Sequence, residues 1–261
     1  MKDYKDIFRR VENTIFKVGS KRLSEDKIRK NLLKFKETAT KTFTDDGYFN
    51  ILVDIPFYSG FKAATVTAKR DIIHGHFPDY KTVAGYGAKK IRSIIDDPDM
   101  IKNKRKINAC VENAKTFKAL VAEFGSFQKY VEFFSPKKSM DDIMCLRDDL
   151  KKRFDFLGGI TSYHFLTEIG MPVLKPDRVI RRIFYRLGVV KSDGQSEEEL
   201  KKVVYEGRKF SDATGEPMRY VDIIFVAYGQ MESDDFGIDK GICLSEKPRC
   251  EICGIKKYCE R

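Results

Sequence analysis

Along most of the chain apolar residues return every three or four positions, between runs of lysine and glutamate. The stretch 4–18 places Ile7, Val11, Ile15 and Phe16 on one helical face. Residues 25–41 repeat the pattern, and 42–47 (TFTDDG) read as a loop. Residues 48–57 (YFNILVDIPF) are apolar on all sides, which predicts a buried helix. Helical spacing follows at 61–74, 88–96, 103–122, 126–134, 140–153 and 161–169. Pro78, Gly85, Gly87, Pro98, Gly125 and Pro136 punctuate these segments. Pro172 and Pro176 flank a connector, after which 178–187, 196–209 and 217–230 predict three more helices. No segment alternates with period two and no internal repeat emerges, so the expected fold class is all-α.

Composition narrows the functional class. The chain has 261 residues, with 50 Lys+Arg against 39 Asp+Glu and a formal charge of +11. That surplus suits a polyanion, because each neutralised phosphate releases a counterion. It equally suits a lysine-rich protein kept soluble by charge. No apolar run reaches the roughly 18 residues that a membrane span needs. The N-terminal MKDYKDIFRR lacks the apolar core of a secretion signal. A soluble cytoplasmic protein, nucleoid-associated and monomeric, is the expectation.

Four of the six cysteines fall at 243, 250, 253 and 259, spaced C-x6-C-x2-C-x5-C. In an intracellular chain such a cluster reads as metal ligands rather than disulfides. Four-cysteine zinc sites usually pair two close C-x2-C units, and here there is one. The spacing therefore favours a 4Fe–4S cluster on Cys243, Cys250, Cys253 and Cys259 over zinc. Cys110 and Cys145 sit in helical apolar settings and read as buried thiols.

At 154–177 an amphipathic helix runs into Leu157-Gly158-Gly159 and a second helix begins near Thr161. Adjacent glycines permit a tight turn, and amides at a helix N-terminus suit a phosphate oxygen. Asp177 follows, directly before the 178–187 helix. It reads as an N-cap, as a carboxylate facing a cleft, or as both. Asp54, at the end of the buried 48–57 helix, reads equally as a core carboxylate or as a group meeting a ligand edge.

The cysteine spacing resembles the C-terminal cluster loop of the endonuclease III and adenine glycosylase families. The stretches IKNKRKINACVENAKTF (101–117) and LKKRFDFLGGITSYHFLTEIG (150–170) resemble the 3-methyladenine DNA glycosylase I family, with Phe156 where endonuclease III has glycine. That family normally lacks the iron–sulfur loop and the aspartate and uses zinc, so the chain departs from it on three counts. The resemblance implies a helix-hairpin-helix DNA glycosylase acting on double-stranded DNA in base excision repair. It implies a six-helix barrel with the hairpin over 45–171 and an iron–sulfur domain from 1–44 and 172–261. It makes Asp177 catalytic and assigns DNA contact to Gly158, Gly159, Ile160, Thr161, Lys247 and Arg249. Ile160 occupies the position where strand-cutting members carry a lysine nucleophile, so a monofunctional enzyme is implied. Lys175 is the one alternative amine, and the KNKRK run at 102–106 a solvated or phosphate-facing face. Asp54, Phe57, Tyr58, Phe61, Tyr163 and His164 are candidates for a pocket that stacks an extruded base. An alkylated purine such as 3-methyladenine is the leading substrate. Uracil, mismatched thymine, adenine or a hypermodified base stay open, as does a non-catalytic damage sensor.

Overall fold

The computed structural model describes residues 2–136 and 138–260. Among them the regular structure is helical, with one isolated bridge between Ser233 and Ile238, so the all-α expectation holds. The helices are α1 (Tyr4–Gly19), α2 (Glu25–Glu37), α3 (Asp45–Tyr58), α4 (Ala63–Ala68), α5 (Arg70–His76), α6 (Tyr80–Ala84) and α7 (Ala88–Asp96). They continue as α8 (Lys104–Phe124), α9 (Phe127–Phe133), α10 (Met140–Arg153), α11 (Gly159–Glu168), α12 (Arg178–Arg186), α13 (Glu197–Thr214) and α14 (Met218–Gly229). None of them is long and apolar enough to cross a membrane. The chain divides into two compact units, Met1–Lys41 with Pro172–Arg261, and Thr42–Met171.

In the unit Thr42–Met171 the long α8 packs on α3, α6, α7 and α9, while α11 packs on α3 and α10. The core is aromatic. Phe117 and Phe127 stack with centroids 4.3 Å apart, and Phe49, Tyr80, Tyr130 and Phe165 surround them. Each such pair adds about 1 kcal/mol beyond the area it buries. α3 is buried on most of its surface, as its apolar sequence predicts. It starts inside the segment expected to be a loop, because the Thr44 hydroxyl caps it by accepting from Gly47 N at 3.1 Å.

The expected single helix at 61–74 is two helices. They break at Lys69 (φ −110°, ψ 8°), just after the β-branched run Thr65-Val66-Thr67, which disfavours helix. The break lets Arg70 and His74, one turn apart on α5, both reach Asp54. α6 was absent from the periodicity, since five residues between Pro78 and Gly85 are too few to show a face.

In the other unit α1 packs on α2, α13 and α14, and α12 packs on α13 and α14. Phe8, Phe184, Phe210 and Phe225 form its aromatic centre. Ser196 and Glu199 close a reciprocal capping box on α13. The cysteine-bearing segment lies directly on α1. A Cβ at Gly254 would stand 2.3 Å from Thr14 Oγ1 and 2.8 Å from the Arg10 carbonyl, so only glycine fits there.

Candidate active site

Asp177 is the N-cap of α12. Its Oδ1 accepts from Val179 N at 2.8 Å and Ile180 N at 3.1 Å. Among the described residues its Oδ2 takes no hydrogen bond, and the side chain is half-buried. The connector before it is held from α14, where Asp222 Oδ1 accepts from Lys175 N at 2.8 Å. Asp222 Oδ2 accepts from Arg219 Nη1 at 2.6 Å. Asp222 is only 2 % exposed. Burial pushes its carboxyl up to about 6, with Arg219 opposing the rise and Asp177 adding to it.

Beyond Asp177, three of the four arginines of α12 turn inward, while Arg178 is exposed. Arg181 donates to the carbonyls of Asp193 and Gly194. Arg182 donates to the carbonyls of Gly229 (2.7 Å) and Cys243 (3.0 Å). Arg186 reaches Cys243 Sγ at 3.3 Å and the Leu244 carbonyl at 2.6 Å. One helix therefore carries Asp177 at its start and grips the first cysteine from its far end.

Cys243, Cys250, Cys253 and Cys259 line one cavity of about 220 Å3, together with Arg186 and Lys256. The Tyr228 hydroxyl donates to Cys253 Sγ at 3.2 Å. Among the described residues no three His, Cys, Asp or Glu side chains converge on a single metal-ion position. The four thiols around this cavity are the residues available to hold an iron–sulfur cluster or a metal ion. In the loop between the first two cysteines Lys247 is exposed, with φ 47°. Arg249 is half-buried, and its Nη1 is engaged by the Lys240 carbonyl at 2.6 Å, so it braces the loop.

In the other unit the hairpin joins α10 to α11. Asn113 clamps Asp155 through both backbone groups, at 2.8 and 3.0 Å. Phe156 takes the left-handed conformation (φ 62°), which glycine adopts without strain. Gly158 is the N-cap of α11 and supplies no side-chain cap, leaving the first amides of Gly159, Ile160 and Thr161 to outside acceptors. Buried Arg147 ties α10 to this turn through Ser162 Oγ (2.9 Å) and the Gly159 carbonyl (3.1 Å). Ile160 offers no amine at this turn.

The proposed pocket residues separate into two sets. Asp54 is buried and accepts from Arg70 Nη2 and His74 Nε2, both at 2.8 Å. Half-buried Tyr58 lies edge-on to His164 with centroids 6.2 Å apart, and His164 stands 3.7 Å from Glu168. Phe61 is 39 % exposed and lies under the Lys106 ammonium at 4.5 Å. Phe57 and Tyr163 do not belong with them. Both are 0 % exposed; Phe57 packs on Phe77, and Tyr163 is covered by the Arg147 guanidinium at 4.2 Å. They are core residues, because apolar bulk on α3 and α11 is drawn inward first.

Two smaller expectations are also corrected. Cys145 is exposed, on the outer face of α10, whereas Cys110 is buried. Lys106 leaves the basic run and is 5 % exposed, donating to the carbonyls of Pro56 and Ser59 at the end of α3. The residues that the sequence reading missed are Arg70, His74, Arg147 and Asp222. The one-turn spacing of Arg70 and His74 was the available signal, while the other two are charged residues whose burial no local pattern announces.

The methyladenine glycosylase family model matches residues 35–175, which spans α3 to α11 and ends two residues before Asp177. Among solved structures, the 8-oxoguanine DNA glycosylase of Thermotoga maritima aligns with a TM-score of 0.54 and 18% identity, covering 85% of this chain and 95% of that one. The Methanocaldococcus jannaschii 8-oxoguanine glycosylase/lyase, solved with DNA containing 8-oxoguanine, aligns at 0.54 and 17%, covering 84% and 94%. 3-Methyladenine DNA glycosylase I from Staphylococcus aureus aligns at 0.45 and 22%, covering 53% and 84%. The two longer alignments extend the glycosylase fold through both units, and the family match covers more than half of the 261 residues. The chain belongs to the methyladenine glycosylase family of DNA glycosylases.

Proposed function

We propose that this glycosylase is monofunctional and hydrolyses the N-glycosidic bond of an alkylated purine, such as 3-methyladenine, in duplex DNA, with Asp177 as the reactive carboxylate. The observation that carries this reading is the division of labour within Asp177: Oδ1 caps α12 while Oδ2 takes no hydrogen bond among the described residues. A carboxylate held rigidly by one oxygen can present the other to a water and to the sugar. As the bond between C1′ and the base nitrogen breaks, its electron pair leaves with the base, and positive charge develops on the sugar. Oδ2 stabilises that charge and takes a proton from the water whose oxygen bonds to C1′. A base already carrying a positive charge departs neutral, so no strong acid is required on the leaving-group side.

The remaining residues bind and orient. The amides at the start of α11 suit a backbone phosphate, and the glycines let it approach closely. Tyr58 and His164 offer ring surfaces, and Asp54, fixed by Arg70 and His74, offers a carboxylate edge for an extruded base. Isoleucine at 160 has no amine with which to form a Schiff base.

The cysteine cavity fits a 4Fe–4S cluster, held by Cys243, Cys250, Cys253 and Cys259 with Arg186 and Tyr228 donating to two of the sulfurs. When bound, the cluster supplies covalent cross-links across the segment 243–259. The chain's own part is to aim that segment, and exposed Lys247, toward DNA as a monomer.

The test is a panel of duplexes, each carrying one modified base, incubated with the protein and split between hot alkali and no treatment. The expected result is strand cleavage that appears only after alkali, strongest for methylated purines. Cleavage without alkali, with the protein trapped on DNA by borohydride, would overturn the monofunctional reading and point to Lys175.

A further inference from the structure

We propose that Asp222 is a positioning residue for the reaction, fixing the connector from Lys175 to Asp177 and through it the direction of the Asp177 carboxylate. The inference rests on the reading of Asp177 as the reactive group. Two links join the two aspartates, and a third fixes Asp177 on its helix. Asp222 Oδ1 accepts the Lys175 amide at 2.8 Å. The Lys175 carbonyl accepts the Asp177 amide at 2.7 Å. The Asp177 carboxylate then caps α12 through Val179 and Ile180.

Pro176 lies between the linked residues and narrows the backbone further by fixing φ. The connector has no regular structure of its own, so its path depends on such anchors. Leu174 supplies the apolar one, packed so closely on Gly207 that a Cβ there would meet Leu174 Cδ2 at 2.2 Å. Asp222 supplies the polar one, on the same residue, Lys175, whose carbonyl holds the Asp177 amide.

The chemistry of the site argues for function over stability. Asp222 is 2 % exposed and is paired with Arg219 on its own helix. A buried ion pair adds little to stability and is often replaceable by apolar residues of equal volume. Here the buried anion also stands close enough to Asp177 for the two charges to oppose each other. The charged groups that face it are Arg219 from α14, and Lys175 and Asp177 from the connector. Protonating Asp222 weakens its hold on both the Lys175 amide and Arg219, so the connector loosens as pH falls through about 6.

The experiment compares Asp222→Asn and Asp222→Val with the full-length protein and with Asp177→Asn, on a duplex carrying a methylated purine. Single-turnover excision, DNA affinity and the pH dependence of the rate are read for each. Asparagine keeps an oxygen for the Lys175 amide but no charge, as the protonated carboxyl does, so Asp222→Asn shows at every pH the lower rate that the unmodified protein reaches below about pH 6, without the step. Valine keeps the volume and removes the acceptor, so the rate falls on the order of 100-fold, as misplacement by about an ångström does, with DNA affinity unchanged. A full rate in Asp222→Val, or an unmoved step in Asp222→Asn, overturns the proposal; if Asp222→Val does not fold, the pH profile of Asp222→Asn decides alone. Full activity in Asp177→Asn would instead overturn the underlying reading of Asp177, a result distinct from either.

Discussion

Asp177 and Asp222 are two carboxylates on neighbouring pieces of one unit, in opposite surroundings. Asp177 is half-buried and caps the first amides of α12, while Asp222 is buried with the Lys175 amide on one oxygen and Arg219 on the other. The second has a consequence for stability. A carboxyl whose folded pKa is raised from 3.8 to about 6 binds a proton in the folded state that the unfolded chain has already lost. Stability from this group is therefore full below about 4 and declines as pH rises through about 6. Urea unfolding across that range should show a decline of about 3 kcal/mol, and Asp222→Asn should flatten it; an unchanged slope in the variant would contradict the assignment. Asp177 was legible in the sequence because a lone acid directly before an amphipathic helix is a cap signal. Asp222, Arg147 and Lys106 were not, because a charged residue inside an amphipathic pattern looks the same whether it faces water or a buried carbonyl. Phe57 and Tyr163 failed in the other direction: a ring near an expected pocket looks the same whether it lines the pocket or fills the core.

Among the elements, α12 has the most to do, since it starts at Asp177 and ends on the cysteine loop. Replacing Arg182 by methionine would leave the buried carbonyls of Gly229 and Cys243 without that donor. The expected loss is about 3 kcal/mol, with metal content falling alongside; an unshifted melting temperature would contradict it. Gly254→Ala should also destabilise, by roughly 1–3 kcal/mol, because its Cβ meets a backbone carbonyl that cannot rotate away. For the loop itself, the purified protein is expected to be brown and to contain iron and acid-labile sulfide in equal amounts. A colourless protein holding zinc would sink the cluster assignment. Most helices were legible from period alone, including α1, α8 and α10, whose apolar faces are long and continuous. The break at Lys69 was not, since no glycine or proline marks it and the pull of Asp54 on Arg70 and His74 is tertiary. The start of α3 was misjudged because Thr44-Asp45-Asp46-Gly47 carries turn residues that are equally good cap residues.

For the molecule as a whole, the +11 charge and the glycosylase family describe one function, the handling of a polyanion. Affinity for an undamaged duplex should fall at least about tenfold between roughly 50 and 200 mM salt, the loss expected when two or more phosphates are neutralised. An affinity indifferent to salt would remove the electrostatic part of the account. The measurement that bears most directly on the central claim is single-turnover release of a methylated purine by Asp177→Asn. The account predicts a rate lower by about 10²–10⁴-fold, with duplex affinity and helix content unchanged. Release within a few-fold of the unmodified protein would contradict it, leaving Asp177 as a helix cap alone.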